Sequence, residues 1–220
     1  MPQKEELLNT LEAIHSRRSI RKYLDIPLEF EKVARVLDAG RLAPSAGNLQ
    51  PWKFILIVEP EQRLKVAEAC LEQYWVAQSP IQIVVCVEPK KSERYYGKRG
   101  EELYALLDGA AAAQNMLLAA HAQHLGACWV SAFDDAMLKR ACSIPDNVTP
   151  VGVITLGYSD EKPSAPLKFT LHNVTFFHHY GSRVKDDAEL FGNYAVHVTK
   201  ALSTAKTWAE NILKKMQKVK

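Results

Sequence analysis

Pro44-Ser45-Ala46-Gly47-Asn48-Leu49-Gln50-Pro51-Trp52 runs almost directly into the apolar stretch Phe54-Ile55-Leu56-Ile57-Val58. The first part has loop chemistry: a proline at each end, a glycine, and Ser, Asn and Gln side chains that hydrogen-bond locally. The second part has the length and composition of a buried strand. Upstream stands Arg17-Arg18-Ser19-Ile20-Arg21, with three guanidinium groups and a hydroxyl in five residues. In extended backbone Arg17, Ser19 and Arg21 face one side and Arg18 the other. Guanidinium forks suit a phosphate, whereas the polar groups of Ser45, Asn48 and Gln50 suit the rim of a heterocycle. The two stretches together read as a site for a phosphorylated planar cofactor.

Leu7, Leu8, Leu11 and Ile14 recur at helical spacing and predict an amphipathic helix over 4–16. A second helix is expected after Pro27, with Phe30, Val33, Ala34, Val36 and Leu37 on its apolar side. Strands are expected over 53–58, 81–87, 127–131 and 151–156. Helices are expected over 61–78, 101–121, 134–141 and 185–218. Ile81–Val87 is apolar except for Gln82, the pattern of a strand covered on both faces. Residues 101–121 are Ala- and Leu-rich nearly all round, which predicts a buried central helix. Residues 89–100, polar and rich in Lys and Tyr, read as a mobile loop and a candidate lid. Trp52 reads as a core anchor. This order predicts one domain over 1–220, helices packed around a small central sheet. The apolar central helix and long amphipathic tail exceed what a monomer needs, so a homodimer with the tail across the partner is expected.

The balance of 47% hydrophobic and 24% charged residues is ordinary for a globular chain. A net charge of +3 is only mildly basic, and much of the excess sits at Lys206, Lys214, Lys215, Lys218 and Lys220. Helical spacing makes those lysines a solvated face, so no nucleic-acid partner is expected. Cys70, Cys86, Cys128 and Cys142 are far apart and form no CxxC pair, as expected of buried reduced thiols in a cytoplasmic protein. The charged N-terminal residues do not resemble a signal peptide, and the apolar runs are too short to span a bilayer, so no membrane partner is expected. The histidines lack ligand spacing with supporting carboxylates, and no metal is expected.

Five segments carry a resemblance: Arg17–Tyr23 (RRSIRKY), Ala43–Phe54 (APSAGNLQPWKF), the Ala-rich helix, Leu125–Phe133 (LGACWVSAF) and Val151–Pro163 (VGVITLGYSDEKP). Together they resemble the nitroreductase family of FMN-dependent NAD(P)H oxidoreductases over nearly the whole chain, and the first two are a specific pair. The resemblance implies an α+β fold with a central mixed sheet flanked by helices, an intertwined homodimer, and FMN held non-covalently at the subunit interface. It implies that Arg17, Arg18, Ser19 and Arg21 contact the phosphate and ribityl chain. Pro44, Ser45, Ala46 and Asn48 would line the flavin of the other subunit, and Val130, Ser131 and Ala132 its N5 and pyrimidine edge. Lys168 stands where the family more often places a phosphate-binding Arg. Ser131-Ala132-Phe133 departs from the Glu-Gly or Thr-rich versions of that segment and leaves the substrate open.

In the mechanism so implied, NADH or NADPH gives hydride to N5, and a nitroaromatic, quinone or similar small molecule then takes it in ping-pong fashion. No side chain acts as nucleophile; the Ser131 hydroxyl or a backbone N–H donates to N5. Two alternatives stay open. One is reductive dehalogenation or flavin fragmentation on the same scaffold, for which 89–100 is a short lid. The other is a non-enzymatic flavin-storing or redox-sensing protein.

Overall fold

The computed structural model describes residues 7–183, and the chain divides into two units, Met1–Ala165 and Pro166–Lys220. The first unit contains all four strands: β1 (Trp52–Ile57), β2 (Ile81–Val87), β3 (Gly126–Val130) and β4 (Thr149–Gly157). Their order is β1-β2-β4-β3, and every ladder is antiparallel. The mixed character expected of the sheet is confined, among the described residues, to one parallel bridge between Ser19 and Ala127.

Helices close both faces. On one, α2 (Phe30–Arg41) and α6 (Ala105–Ala122) bring Val33, Val36, Met116 and Leu117 onto Ile83, Val85, Ile154 and Leu156. On the other, α3 (Pro60–Ala69), α4 (Trp75–Gln78) and α7 (Asp135–Cys142) bring Val66, Val76 and Leu138 onto Val84, Cys86 and Val153. Alternate residues of β2 therefore enter different cores, and all seven are buried, as its unbroken apolar run predicts. Gln82 is tolerated because its amide donates to the carbonyls of Val76 (2.9 Å) and Arg63 (3.2 Å). Trp52 is buried beside Ala43 and Ala112, a core anchor as expected.

Three elements differ from the sequence reading. First, α1 (Thr10–Ser16) starts only after Asn9. Asn9 accepts from the Glu12 N–H while Glu12 accepts from the Asn9 N–H, a capping box that fixes this start. Second, the helix expected over 61–78 breaks after α3, where Leu71 and Glu72 both take φ of +57°. Neither residue type signals such a turn; the Gln73 amide holds it by donating to the carbonyls of Cys70 (2.8 Å) and Ala132 (3.2 Å). Third, 89–100 is no loop but α5 (Pro89–Arg99). Proline opens it, and Lys90 pairs with Glu93 (2.7 Å) and Glu101 (2.8 Å). A solvated helix with paired charges has a loop-like composition. The central helix α6 is buried on one side only, since Leu107 is 55% exposed.

The second unit holds a short helix, α8 (Leu171–Val174), and Arg183 stacked 4.8 Å over Phe176. The expected helix over 185–218 lies outside the described residues.

The four cysteines are free, and burial pushes the Cys70 and Cys86 thiols up to about 12. The folded chain thus keeps two protons that the unfolded chain releases from about pH 8.5. Folding stability should fall as pH rises from about 8.5 towards 12, because the unfolded state then binds fewer protons. Chemical denaturation at stepped pH checks this, and the Cys70→Ala/Cys86→Ala double variant should show a shallower decline.

Candidate cofactor-binding site

The cationic segment follows α1 as an extended strip laid on the sheet edge. The Ile20 N–H donates to the Ala127 carbonyl (3.1 Å), and Tyr23 bridges Ser159 at the end of β4. Beneath it, the Tyr23 hydroxyl donates to the Ile20 carbonyl (2.5 Å) and meets the Thr155 hydroxyl at 2.6 Å. Burial holds this phenol well above its usual range.

The Cys128 thiol of β3 lies beneath this strip, where Ser19 offers it a hydrogen bond and the charges of Arg21 and Arg17 favour its thiolate. The thiol nevertheless lies above its ordinary value, since burial outweighs them. Arg18 is turned away, and its guanidinium donates to the carbonyls of His15 (3.0 Å) and Arg17 (2.7 Å). Those bonds cap the end of α1. Arg18 therefore closes a helix in the single chain. Guanidinium groups and a hydroxyl within five residues of a strip fixed to the sheet supply the donor chemistry that a phosphate dianion needs.

Val130 ends β3 buried, and Ser131 and Ala132 follow it exposed. The turn before α4 ties this end of the strand to the strip. Gln73 holds the Ala132 carbonyl, and Arg21 lies 5.6 Å over the Trp75 ring. A cation on an aromatic face keeps its planar fork oriented.

The Pro44–Gln50 loop is elsewhere. Gly47, Asn48 and Gln50 take φ of +56°, +55° and +50°, and the Ser45 hydroxyl accepts from the Gln50 N–H (3.0 Å). Three left-handed residues within four positions constitute local strain, of the kind that concentrates at binding sites. The Ala46 N–H donates to Asp108 near the start of α6 (3.0 Å), and a Cβ on Gly47 would stand 2.6 Å from the Tyr96 hydroxyl. Asp108 is 6% exposed, and burial raises its carboxyl above the usual range. This carboxylate in an Ala-rich helix was a visible sequence signal, although its partner was not.

The strip instead meets the far end of α6. His121 Nε2 shares a hydrogen bond of 2.7 Å with the Ser16 hydroxyl, and the ring is held below its ordinary value first by burial, then by Arg17. Along α6, Asp108 and His121 stand about 20 Å apart at about 1.5 Å per residue. One chain thus brings Arg17, Ser19 and Arg21 to β3 and its trailing segment, but leaves Pro44, Ser45, Ala46 and Asn48 at the other end of the helix. Lys168 is an exposed residue of the second unit.

The first unit is an α+β domain whose cationic strip and amide-rich loop have the chemistry of an anion- and heterocycle-binding site. Comparison with known proteins gives the family. The nitroreductase family model matches residues 14–82 and 71–158, and the chain belongs to the nitroreductase family. It is 38% identical over 160 residues to a Methanothermobacter thermautotrophicus protein provisionally named NADH dehydrogenase/NAD(P)H nitroreductase, covering 71% of this chain and 80% of that one. It is 25% identical over 185 residues to the FMN reductase (NADPH) of Bacillus subtilis, covering 76% and 74% respectively. The solved structure of an FMN-dependent nitroreductase from Clostridium difficile superimposes with a TM-score of 0.67 at 25% identity, covering 77% of this chain and 99% of that one.

Replacing Asp108 with Ala removes the acceptor that holds Ala46. Backbone exchange over Pro44–Gln50, read by hydrogen–deuterium exchange mass spectrometry, should speed up by about tenfold while the β2 and β4 amides stay protected.

Proposed function

We propose that this chain works as a homodimer that binds FMN and passes hydride from NADH or NADPH to an electron-poor acceptor such as a nitroaromatic or quinone. The chain is an NAD(P)H-dependent flavin oxidoreductase; the family match and the names of its relatives support that class. The observation that carries the cofactor reading is the attachment of the Arg17–Arg21 segment, with its guanidinium groups and hydroxyl, to the sheet edge beside β3.

The dimer is supported by the same geometry. The phosphate strip and the Pro44–Gln50 loop lie at opposite ends of α6, so a ligand gripped by both needs the loop of a second copy. Leu11 and Ile14 of α1 and Leu107 of α6 are more than half exposed in the single chain, apolar surface of the sort that partner subunits cover.

In this reading Arg17 and Arg21 hold the phosphate, with the Ser19 hydroxyl as a third donor. Arg18 contributes through the helix end it closes. Pro44, Ser45, Ala46 and Asn48 of the second copy line the ring, and Val130, Ser131 and Ala132 lie along its other rim. The bound flavin supplies a ring nitrogen that accepts hydride and returns it. Ser131, exposed at the end of β3, offers that nitrogen a hydroxyl donor. The nucleotide and the acceptor use one face in turn, which requires ping-pong kinetics. The chain acts as one functional domain. No helix among the described residues is long and apolar enough to cross a membrane. The four free cysteines support a cytoplasmic setting.

The purified full-length protein should be yellow, and anaerobic NADH or NADPH should bleach it, with colour restored by a nitroaromatic or quinone. Flavin that neither nucleotide reduces would make the chain a carrier instead. Arg17→Ala/Arg21→Ala should weaken FMN binding by about a hundredfold or more, since two charge-assisted contacts are lost. Titration of flavin fluorescence measures this, and unchanged affinity would remove the proposed site.

A further inference from the structure

Glu161 sits just after β4, beside the cationic strip, where an acidic residue should weaken any grip on an anion. Its carboxylate oxygen accepts from two consecutive backbone N–H groups of that strip, those of Arg21 (2.5 Å) and Lys22 (3.1 Å). The surrounding bonds fix the carboxylate in place. Ser159 donates its hydroxyl to the Glu161 carbonyl (2.6 Å) and accepts from the Glu161 N–H (3.2 Å). The Asp160 N–H donates to the Lys22 carbonyl (3.0 Å). The Ser159–Glu161 turn thus grips Arg21 and Lys22 along their backbone, while Trp75 receives the Arg21 guanidinium.

We infer that Glu161 is a positioning residue for cofactor binding, whose carboxylate clamps the Arg21–Lys22 backbone and so aims the Arg21 fork at the phosphate. The role rests on the FMN reading above and adds a residue that touches neither cofactor nor substrate. It also fixes the sign of an effect that charge alone would reverse. Deleting an acidic side chain near a dianion strengthens binding if only charge counts. Releasing two backbone donors from their carboxylate frees the strip and weakens binding.

FMN titration of the full-length chain freed of flavin, read by fluorescence quenching, separates the two. Glu161→Ala should weaken binding by about fivefold or more. Glu161→Gln keeps an acceptor oxygen for both N–H groups and should bind within about twofold of the wild type. In an Arg21→Ala background the Glu161→Ala effect should shrink below about twofold, because the residue it aims is gone. Should Glu161→Ala fail to fold, Ser159→Ala loosens the same turn and is expected to weaken binding about twofold. Binding that is unchanged or tighter in the folded variant, or an effect undiminished without Arg21, overturns the inference and leaves the cofactor reading standing. A wild-type chain that takes up no FMN overturns both.

Discussion

The strip from Ser19 to Tyr23 is joined to the sheet at both ends, at Ala127 on β3 and at Ser159 past β4, and the site depends on that attachment. An arginine side chain has many rotamers, and ordering it on a ligand costs conformational entropy. A backbone already fixed along a sheet edge removes part of that cost before any ligand arrives. The buried contacts of Tyr23 with Ile20 and Thr155 hold the strip from below. Alternation of side chains along the fixed strip then does the sorting. It leaves Arg18 to the carbonyls at the end of α1 and Arg21 over the Trp75 ring.

The second constraint is the length of α6. A helix packed across the sheet separates what touches its two ends, and here one end carries Asp108 with the Pro44–Gln50 loop while the other carries His121 with the strip. The helix itself is seated closely on the sheet: a Cβ on Gly109 would stand 2.8 Å from Val87 and 2.9 Å from Val151. In the proposed reading, a ligand that needs both motifs is served by two chains. The proposed homodimer is a consequence of this separation, and the exposed apolar residues of α1 and α6 agree with it.

Legibility in the sequence followed the range of the interaction. β2 was readable because two covered faces demand an unbroken apolar run, and its one exception, Gln82, has local carbonyls to satisfy it. The alternation of Arg17, Ser19 and Arg21 was readable because strand periodicity is a backbone property. The family motifs placed both halves of the candidate site on the chain. What failed had other causes. α5 has a loop's composition, because a solvated helix is built from the charged and polar residues that loops also use. The left-handed turn at Leu71 and Glu72 uses residues that favour helices, and its support comes from Gln73 reaching Ala132. Glu161 carries no local signal, since its two bonds cross about 140 residues of chain.

Strain gives the last connection between fold and site. The described residues with positive φ include Asn48 and Gln50 in one loop and Leu71 and Glu72 in another. None is glycine, so each left-handed conformation costs energy that packing elsewhere must offset. Both loops are held by bonds to the elements that shape the candidate site: Ala46 to Asp108, and Gln73 to the segment after β3. A chain selected for stability alone would place glycine or asparagine at Leu71 and Glu72. Leu71 and Glu72 instead hold the turn that places Trp75 under Arg21. The stability given up there orients the guanidinium that the proposed phosphate site requires.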